Sequence, residues 1–284
     1  MKKLINVEDH TMNRKSLSTQ EIKDISLEIL KQIADLCEEQ NIRYFLLGGT
    51  LLGAIRHKGF IPWDDDIDIM MPRPDYDRFL EYLYNHKLPN LTLFNRNTCK
   101  DYPYMISRMS DDRYILEFEN EDSVGMGVFV DIYPMDGMGA TLEEALRYGM
   151  YNDRMSSFCF QATRKHFAIE TTKSKFRKAV KFPVYLLSKA IGKDFFMNQI
   201  EKHTGKYDYE TSEWVGDLIW LSGGANEIFK REWLDDYIMA PFEQYEFRIP
   251  KEYDAVLKHL FGDYMKLPPE KDRIGHHYYK AYRK

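Results

Sequence analysis

The chain has 284 residues, 44 % of them hydrophobic, enough to bury a sizeable core as one large domain or two closely joined ones. Its 45 acidic residues against 40 basic ones give a formal charge of −5, which argues against nucleic-acid binding through a general basic surface. Cys37, Cys99 and Cys159 are widely spaced with no CxxC pair, the N-terminus lacks the apolar core of a signal peptide, and no stretch reaches the roughly 18 apolar residues of a membrane span. A disulfide framework and a cysteine zinc site are disfavoured, and the expectation is a cytoplasmic protein, at most attached to the inner face of the plasma membrane.

Ser18-Thr19-Gln20-Glu21 has the form of a capping box. Ile22, Ile25, Ile29, Ile33 and Leu36 follow at spacings of three and four, so an amphipathic helix is expected to run to about Gln40 and Asn41. Residues 42–47 read as a buried strand running into Gly48-Gly49. Residues 50–56 read as a short helix opening directly after the glycines, and residues 65–70 as an acidic strand reached through a turn at 58–62. A helix is expected over 75–84, with Pro74 tolerated near its start, then short β-runs at 91–94, 104–109, 114–119 and 127–133. Beyond about Ala140 the pattern becomes mostly helical, over 143–160 and 175–201, with Pro183 interrupting the second stretch. The expected fold is α/β. A mixed sheet flanked by helices is expected over 1–140, and over 141–284 a mostly helical region that closes over a cleft.

Chemistry concentrates in Trp63-Asp64-Asp65-Asp66-Ile67-Asp68-Ile69. In an extended strand Asp66 and Asp68 leave by one face while Ile67 and Ile69 enter the core. Carboxylates that close repel, and a strand that keeps them suits a cation such as Mg²⁺, which takes one or two carboxylates and completes its shell with water and phosphates. A bare D-x-D also fits a solvated acidic turn. What favours a site is the preceding Gly48-Gly49-Thr50, which lets backbone approach a ligand and opens a helix whose free N–H groups suit a phosphate. Asp64 shares the i+2 face with Asp66, whereas Asp65 is expected to point away, toward Lys58 or Arg73. Asp131 lies in the apolar run Gly127-Val128-Phe129-Val130-Asp131-Ile132-Tyr133, where either a metal or a cationic partner would offset its burial. Asp136 reads as a turn residue.

Two longer segments carry a resemblance. Leu47-Gly48-Gly49-Thr50-Leu51-Leu52-Gly53-Ala54-Ile55-Arg56-His57 is followed by Gly59-Phe60-Ile61-Pro62-Trp63-Asp64-Asp65-Asp66-Ile67-Asp68. Together with Asp131-Ile132-Tyr133-Pro134-Met135-Asp136-Gly137 and, near the C-terminus, Phe261-Gly262-Asp263-Tyr264-Met265 and Leu267-Pro268-Pro269, they closely resemble the LicD family. The resemblance implies a nucleotidyltransferase-type fold and transfer of a phospho-alcohol, phosphocholine first, from a CDP-linked donor such as CDP-choline. The acceptor would be a sugar hydroxyl of a teichoic-acid or lipopolysaccharide precursor, lipid-linked or free, and CMP would leave. It implies a divalent metal, taken here as two Mg²⁺ (or Mn²⁺) ions on Asp66, Asp68 and Asp131, with Asp64 either a direct ligand or a residue just behind the ligands. Asp131 would share a metal or accept the acceptor's proton. Gly48, Gly49 and Thr50 would cradle phosphate, and Arg56 and Arg108 would either clamp phosphate or form salt bridges.

Weaker signals follow. Residues 173–187 mix basic and large apolar side chains and suit either peripheral contact with an anionic membrane or packing on the domain. Trp214, Trp220, Trp233 and Tyr237 could form core or a cage for quaternary ammonium. Trp63 is expected either to stack on a base or to pack behind the acidic strand, the packing role being favoured, and His276-His277 to sit in a surface tail. The rival functions are a nucleotidyltransferase releasing pyrophosphate, a transferase using CDP-ribitol or CDP-glycerol, and a non-enzymatic metal-stabilised binding module. A P-loop kinase and a Rossmann reductase lack their G-x-x-x-x-G-K-[ST] and G-x-G-x-x-G sequences.

Overall fold

A computed structural model describes residues 15–167, 175–219, 224–273, 275 and 279–284. Helix α1 (Thr19–Glu39) opens on the expected capping box: the Ser18 hydroxyl accepts from the Glu21 N–H at 3.3 Å, and the Glu21 carboxylate accepts from the Ser18 N–H at 2.8 Å. Its stripe of Ile22, Ile29, Ile33 and Leu36 is buried.

The chain then runs through β1 (Phe45–Leu46), α2 (Gly48–Arg56), β2 (Asp68–Pro72), α3 (Arg73–Asn85), β3 (Leu91–Phe94), β4 (Ser107–Asp111), β5 (Tyr114–Phe118) and β6 (Phe129–Gly137). The central sheet has the order β1-β2-β6-β4-β3. Only β2 and β6 run parallel; the other neighbours are antiparallel, so the sheet is mixed as expected. The parallel pair needs a long crossover, and α3 through β5 supply it. Phe45, Leu46, Ile69, Met70, Val130 and Ile132 are buried on the two faces of this sheet, each contributing about 1.5–3 kcal/mol of burial.

Three helices follow: α4 (Leu142–Thr163), α5 (Lys175–Ile191) and α6 (Lys193–His203). The single helix expected over 175–201 is broken at Gly192, not at Pro183. Gly192 has φ 88, a left-handed conformation that ends α5, whereas Pro183 sits inside it. After α6, β7 (Trp214–Gly216) adds to the end of β6, and β8 (Ile228–Lys230) adds to β7. The hairpin of β9 (Tyr237–Phe242) and β10 (Tyr245–Pro250) packs against β1 and α2, and α7 (Tyr253–Phe261) packs beside α2. β11 (Tyr279–Arg283) pairs with β5. Helices therefore supply most of the regular structure after residue 140, but strands from that half complete sheets begun in the first.

Candidate active site

Strand register builds the centre of the site. Asp68, the first residue of β2, lies directly opposite Asp131 of β6, and Arg108 of β4 lies opposite Asp131 on its other side. The Asp131 N–H donates to the Ile67 carbonyl at 3.0 Å. The start of α2 is strapped to the same point: the Leu47 N–H donates to the Asp68 carbonyl at 3.0 Å, and the Thr50 hydroxyl accepts from the Asp68 N–H at 2.9 Å. The Thr50 hydroxyl thus fixes Asp68 while keeping its own proton to donate. Leu47, the N-cap of α2, offers no side-chain hydrogen bond, which leaves the first N–H groups of the helix available.

The glycine pair is explained by the carboxylates above it. Gly48 is left-handed at φ 54, and a Cβ there would stand 3.9 Å from an Asp68 carboxylate oxygen. A Cβ on Gly49 would come within 2.8 Å of an Asp64 carboxylate oxygen, closer than side chains tolerate. Asp64 and Asp68 therefore both sit over the α2 N-terminus, whose positive dipole end favours negative charge.

Electrostatics shows how tightly the acids are drawn together. Burial pushes the Asp68 carboxyl well above the usual carboxylate range, and Asp66, Asp131 and Asp64 push it further, against the pull of Arg108. Asp64 is raised by burial and by Asp65, while a hydrogen bond with Asp66 works the other way. Asp131 is raised by burial, and Arg108 partly offsets this. Tyr133, next along β6, is pushed far up by burial and by Asp68, Asp131 and Asp217.

Several expectations need correction in detail. The acidic strand begins at Asp68, so Asp64, Asp65 and Asp66 belong to the preceding loop. The pleat does not bring Asp66 beside Asp68; the loop folding over the α2 N-terminus does. Asp136 is not a turn residue. It is buried inside β6, where it pairs with Gly216 of β7, and Arg73 grips it bidentately at 2.6 and 2.8 Å. Arg73 is thereby taken from the pairing considered for Asp65. Arg108 resolves into the buried ion pair: its Nε lies 2.5 Å and its Nη2 3.3 Å from the two Asp131 oxygens, with the Tyr104 and Phe129 rings 3.9 and 4.0 Å from the guanidinium carbon.

Arg56 is not brought to the glycines. It ends α2, roughly 12 Å along the axis from Gly48, and its guanidinium donates to the Tyr264 carbonyl at 2.9 Å. Trp63 packs half-buried against the core with the Arg273 guanidinium 5.5 Å from its ring. Trp220, His276 and His277 lie outside the described residues. Of the other aromatics considered for a cage, Tyr237 is exposed, and Trp214 and Trp233 are half-buried against neighbouring core.

A cleft of about 110 Å³ opens beside Asp68, lined by Leu47, Gly48, Tyr133, Met135, Asp217, Glu227, Phe229 and Leu260. Asp217 accepts from the Ile219 N–H at 3.0 Å. Sequence reasoning missed the far wall of this cleft. Asp217 could have been found, since Val215-Gly216-Asp217-Leu218-Ile219 places an acid in an apolar run just as the β6 segment does. Glu227 and Phe229 carry no comparable signal.

The carboxylates fit a hard divalent cation in one specific way. Among the described residues, no three His, Cys, Asp or Glu side chains are preformed around a single ion position. Mg²⁺ needs no such cage, because one or two carboxylates suffice when water and substrate phosphates complete the octahedron. Asp68 with Asp66 or Asp64, at the uncapped start of α2, offers oxygen donors of that kind.

The nucleotidyltransferase-domain family described as LicD/FKTN/FKRP matches residues 41–168, which hold every carboxylate above except Asp217 and Glu227. A lipopolysaccharide cholinephosphotransferase LicD of Haemophilus influenzae is 33 % identical over 277 residues, covering 94 % of this chain and 99 % of its own. The ribitol 5-phosphate transferase FKRP of Homo sapiens is 45 % identical over 42 residues, 15 % of this chain and 8 % of its own. An uncharacterised protein of Rickettsia typhi is 34 % identical over 117 residues, 41 % of this chain and 36 % of its own. The chain belongs to the LicD family.

Proposed function

We propose that this LicD-family member, a transferase of phosphorus-containing groups, moves phosphocholine from CDP-choline to a sugar hydroxyl of a cell-surface glycan precursor, such as lipopolysaccharide or teichoic acid, and releases CMP. The observation that carries the choice of choline is the cleft beside Asp68. Its wall combines the rings of Tyr133 and Phe229 with the carboxylates of Asp217 and Glu227. Aromatic faces and carboxylates attract a quaternary ammonium. The similarity to a named cholinephosphotransferase along nearly the whole chain supports the same reading, while the ribitol-phosphate relatives match only a short segment.

In this reading the choline head enters the cleft and the diphosphate lies across the start of α2. The free N–H groups at Gly48 and Gly49 donate to phosphate oxygens. A divalent ion, Mg²⁺ or Mn²⁺, held by Asp68 with Asp66 or Asp64 would neutralise charge on the diphosphate and on departing CMP. Asp131, oriented by Arg108 and raised by burial, accepts the proton as the sugar hydroxyl oxygen attacks the choline-bearing phosphorus. The bond from that phosphorus to the CMP oxygen breaks as the new phosphodiester forms.

The test is a comparison of CDP-choline, CDP-ribitol and CDP-glycerol for Mg²⁺-dependent thermal stabilisation, since a ligand of the folded state raises the melting point by mass action. CDP-choline should stabilise most. Preference for a polyol donor would redirect the assignment, and stabilisation by CTP with pyrophosphate as product would make the protein a nucleotidyltransferase.

A further inference from the structure

Helix α5 turns its apolar side away from the protein. Only Tyr185 and Ser188 of residues 181–191 are buried, and they share the side that meets α4. The Tyr185 hydroxyl donates to the Lys165 carbonyl at 3.1 Å, and the Lys189 ammonium to the Ala162 carbonyl at 3.1 Å. At about 100° per residue, Phe182, Val184, Leu186, Leu187 and Ile191 occupy the remaining arc. All five are exposed, Leu186 by 52 % and Leu187 by 62 %. Just past the break at Gly192, Phe195 is exposed as well. Monomeric proteins do not ordinarily leave a contiguous apolar strip of this kind uncovered.

The surrounding charge identifies what covers it. From Thr171 to Lys193 the sequence holds seven basic residues and no acidic one, in a chain whose net charge is −5. Lys178 and Lys181 stand on α5 itself, half-buried and exposed. A second copy of the chain meeting this face symmetrically would set the same basic strip against itself, which disfavours self-association. Exposed apolar side chains on a stretch with this excess of basic residues match the boundary between acyl chains and anionic headgroups. Among the described residues no helix is long and apolar enough to cross a membrane, so α5 would lie along the surface.

We propose that the outward face of α5 is a membrane-docking surface that seats the protein on a bilayer containing anionic lipid. The proposal does not rest on the identity of the donor, because α5 contributes nothing to the cleft beside Asp68. It is tested by flotation of the full-length protein with vesicles of phosphatidylcholine alone or with phosphatidylglycerol added. Expected is binding to the anionic vesicles that weakens as salt rises, falls at least ~10-fold in Leu186→Glu/Leu187→Glu, and falls about five-fold per residue in Lys178→Gln and Lys181→Gln. Thermal stabilisation by donor nucleotide should be the same in all variants, since these side chains are outside the site. Absence of binding to the anionic vesicles, or equal binding by wild type and the double glutamate variant, would overturn the proposal. So would sedimentation showing a dimer that Leu186→Glu/Leu187→Glu dissociates.

Discussion

Replacing Asp68 by asparagine should stabilise the metal-free protein while abolishing transfer. Its carboxyl is held above the usual range by burial and by three neighbouring carboxylates, with Arg108 opposing them. A unit charge on a neighbouring side chain is worth roughly 2–3 kcal/mol at an effective dielectric near 20. One attraction cancels one repulsion, and protonation together with solvent at the cleft mouth reduces the remainder, leaving about 1–2 kcal/mol relieved by the substitution. For a chain of this size that is a rise in melting temperature of about 2–4 °C. The pH dependence has a definite sign. A folded-state pKa above the unfolded value means that the native protein binds more protons in that window, so wild-type stability is lost as pH rises from about 4 through the raised folded pKa. The asparagine variant lacks this loss, so the two proteins should melt together near pH 4 and diverge toward neutrality. Scanning calorimetry in EDTA from pH 4 to 8, repeated with Mg²⁺ and CDP-choline, measures both effects. A variant less stable than wild type throughout would mean that the Asp68 carboxylate anchors the fold, and the reasoning about crowded acids would fail.

Other outcomes follow from single contacts. Arg108→Met should cost about 3–5 kcal/mol by leaving the buried Asp131 charge unpaired, and Arg108→Met/Asp131→Asn should recover much of that; chemical denaturation of both decides it. Gly49→Ala pushes a Cβ against the movable Asp64 carboxylate, so turnover should drop by about 10²-fold with little change in stability. Gly53→Ala instead meets the Gly59 backbone carbonyl at 2.4 Å and should lower the melting temperature through an overpacking cost of about 1–3 kcal/mol. Glu227→Gln should raise KM about ten-fold for CDP-choline and leave that for CDP-glycerol unchanged; equal effects on both donors would remove Glu227 from ammonium recognition.

Local signals carried most of the fold and the nearer half of the site. The capping box at Ser18, the apolar stripe of α1 and the β3 segment all depend on neighbours within a few residues, and each is found where expected. Asp64, Asp66, Asp68, Asp131 and the glycine pair were legible because an acid in an apolar run and a glycine before a helix are costly without a partner. Pairing across the sheet was not legible. Asp136 looked like a turn residue because Pro-Met-Asp-Gly has turn composition, and it is pairing with Gly216 of β7 and the guanidinium of Arg73 that hold it in a strand. Arg56 shares a motif with the glycines in sequence, but nine helical residues carry it to the far end of α2. Phe229 reaches the cleft on β8 and Glu227 from the turn just before it, and the place of β8 beside β7 depends on long-range contacts that no short window of sequence encodes.

The central claim is phosphocholine transfer by a site built on Asp68. Phosphorus NMR of the protein with CDP-choline, Mg²⁺ and a lipopolysaccharide or teichoic-acid acceptor follows it directly. Matching growth of CMP and of a glycan-borne phosphodiester, present in wild type and absent in Asp68→Asn, is the predicted result. Intact CDP-choline under those conditions, or an Asp68→Asn protein that turns over like wild type, would contradict it.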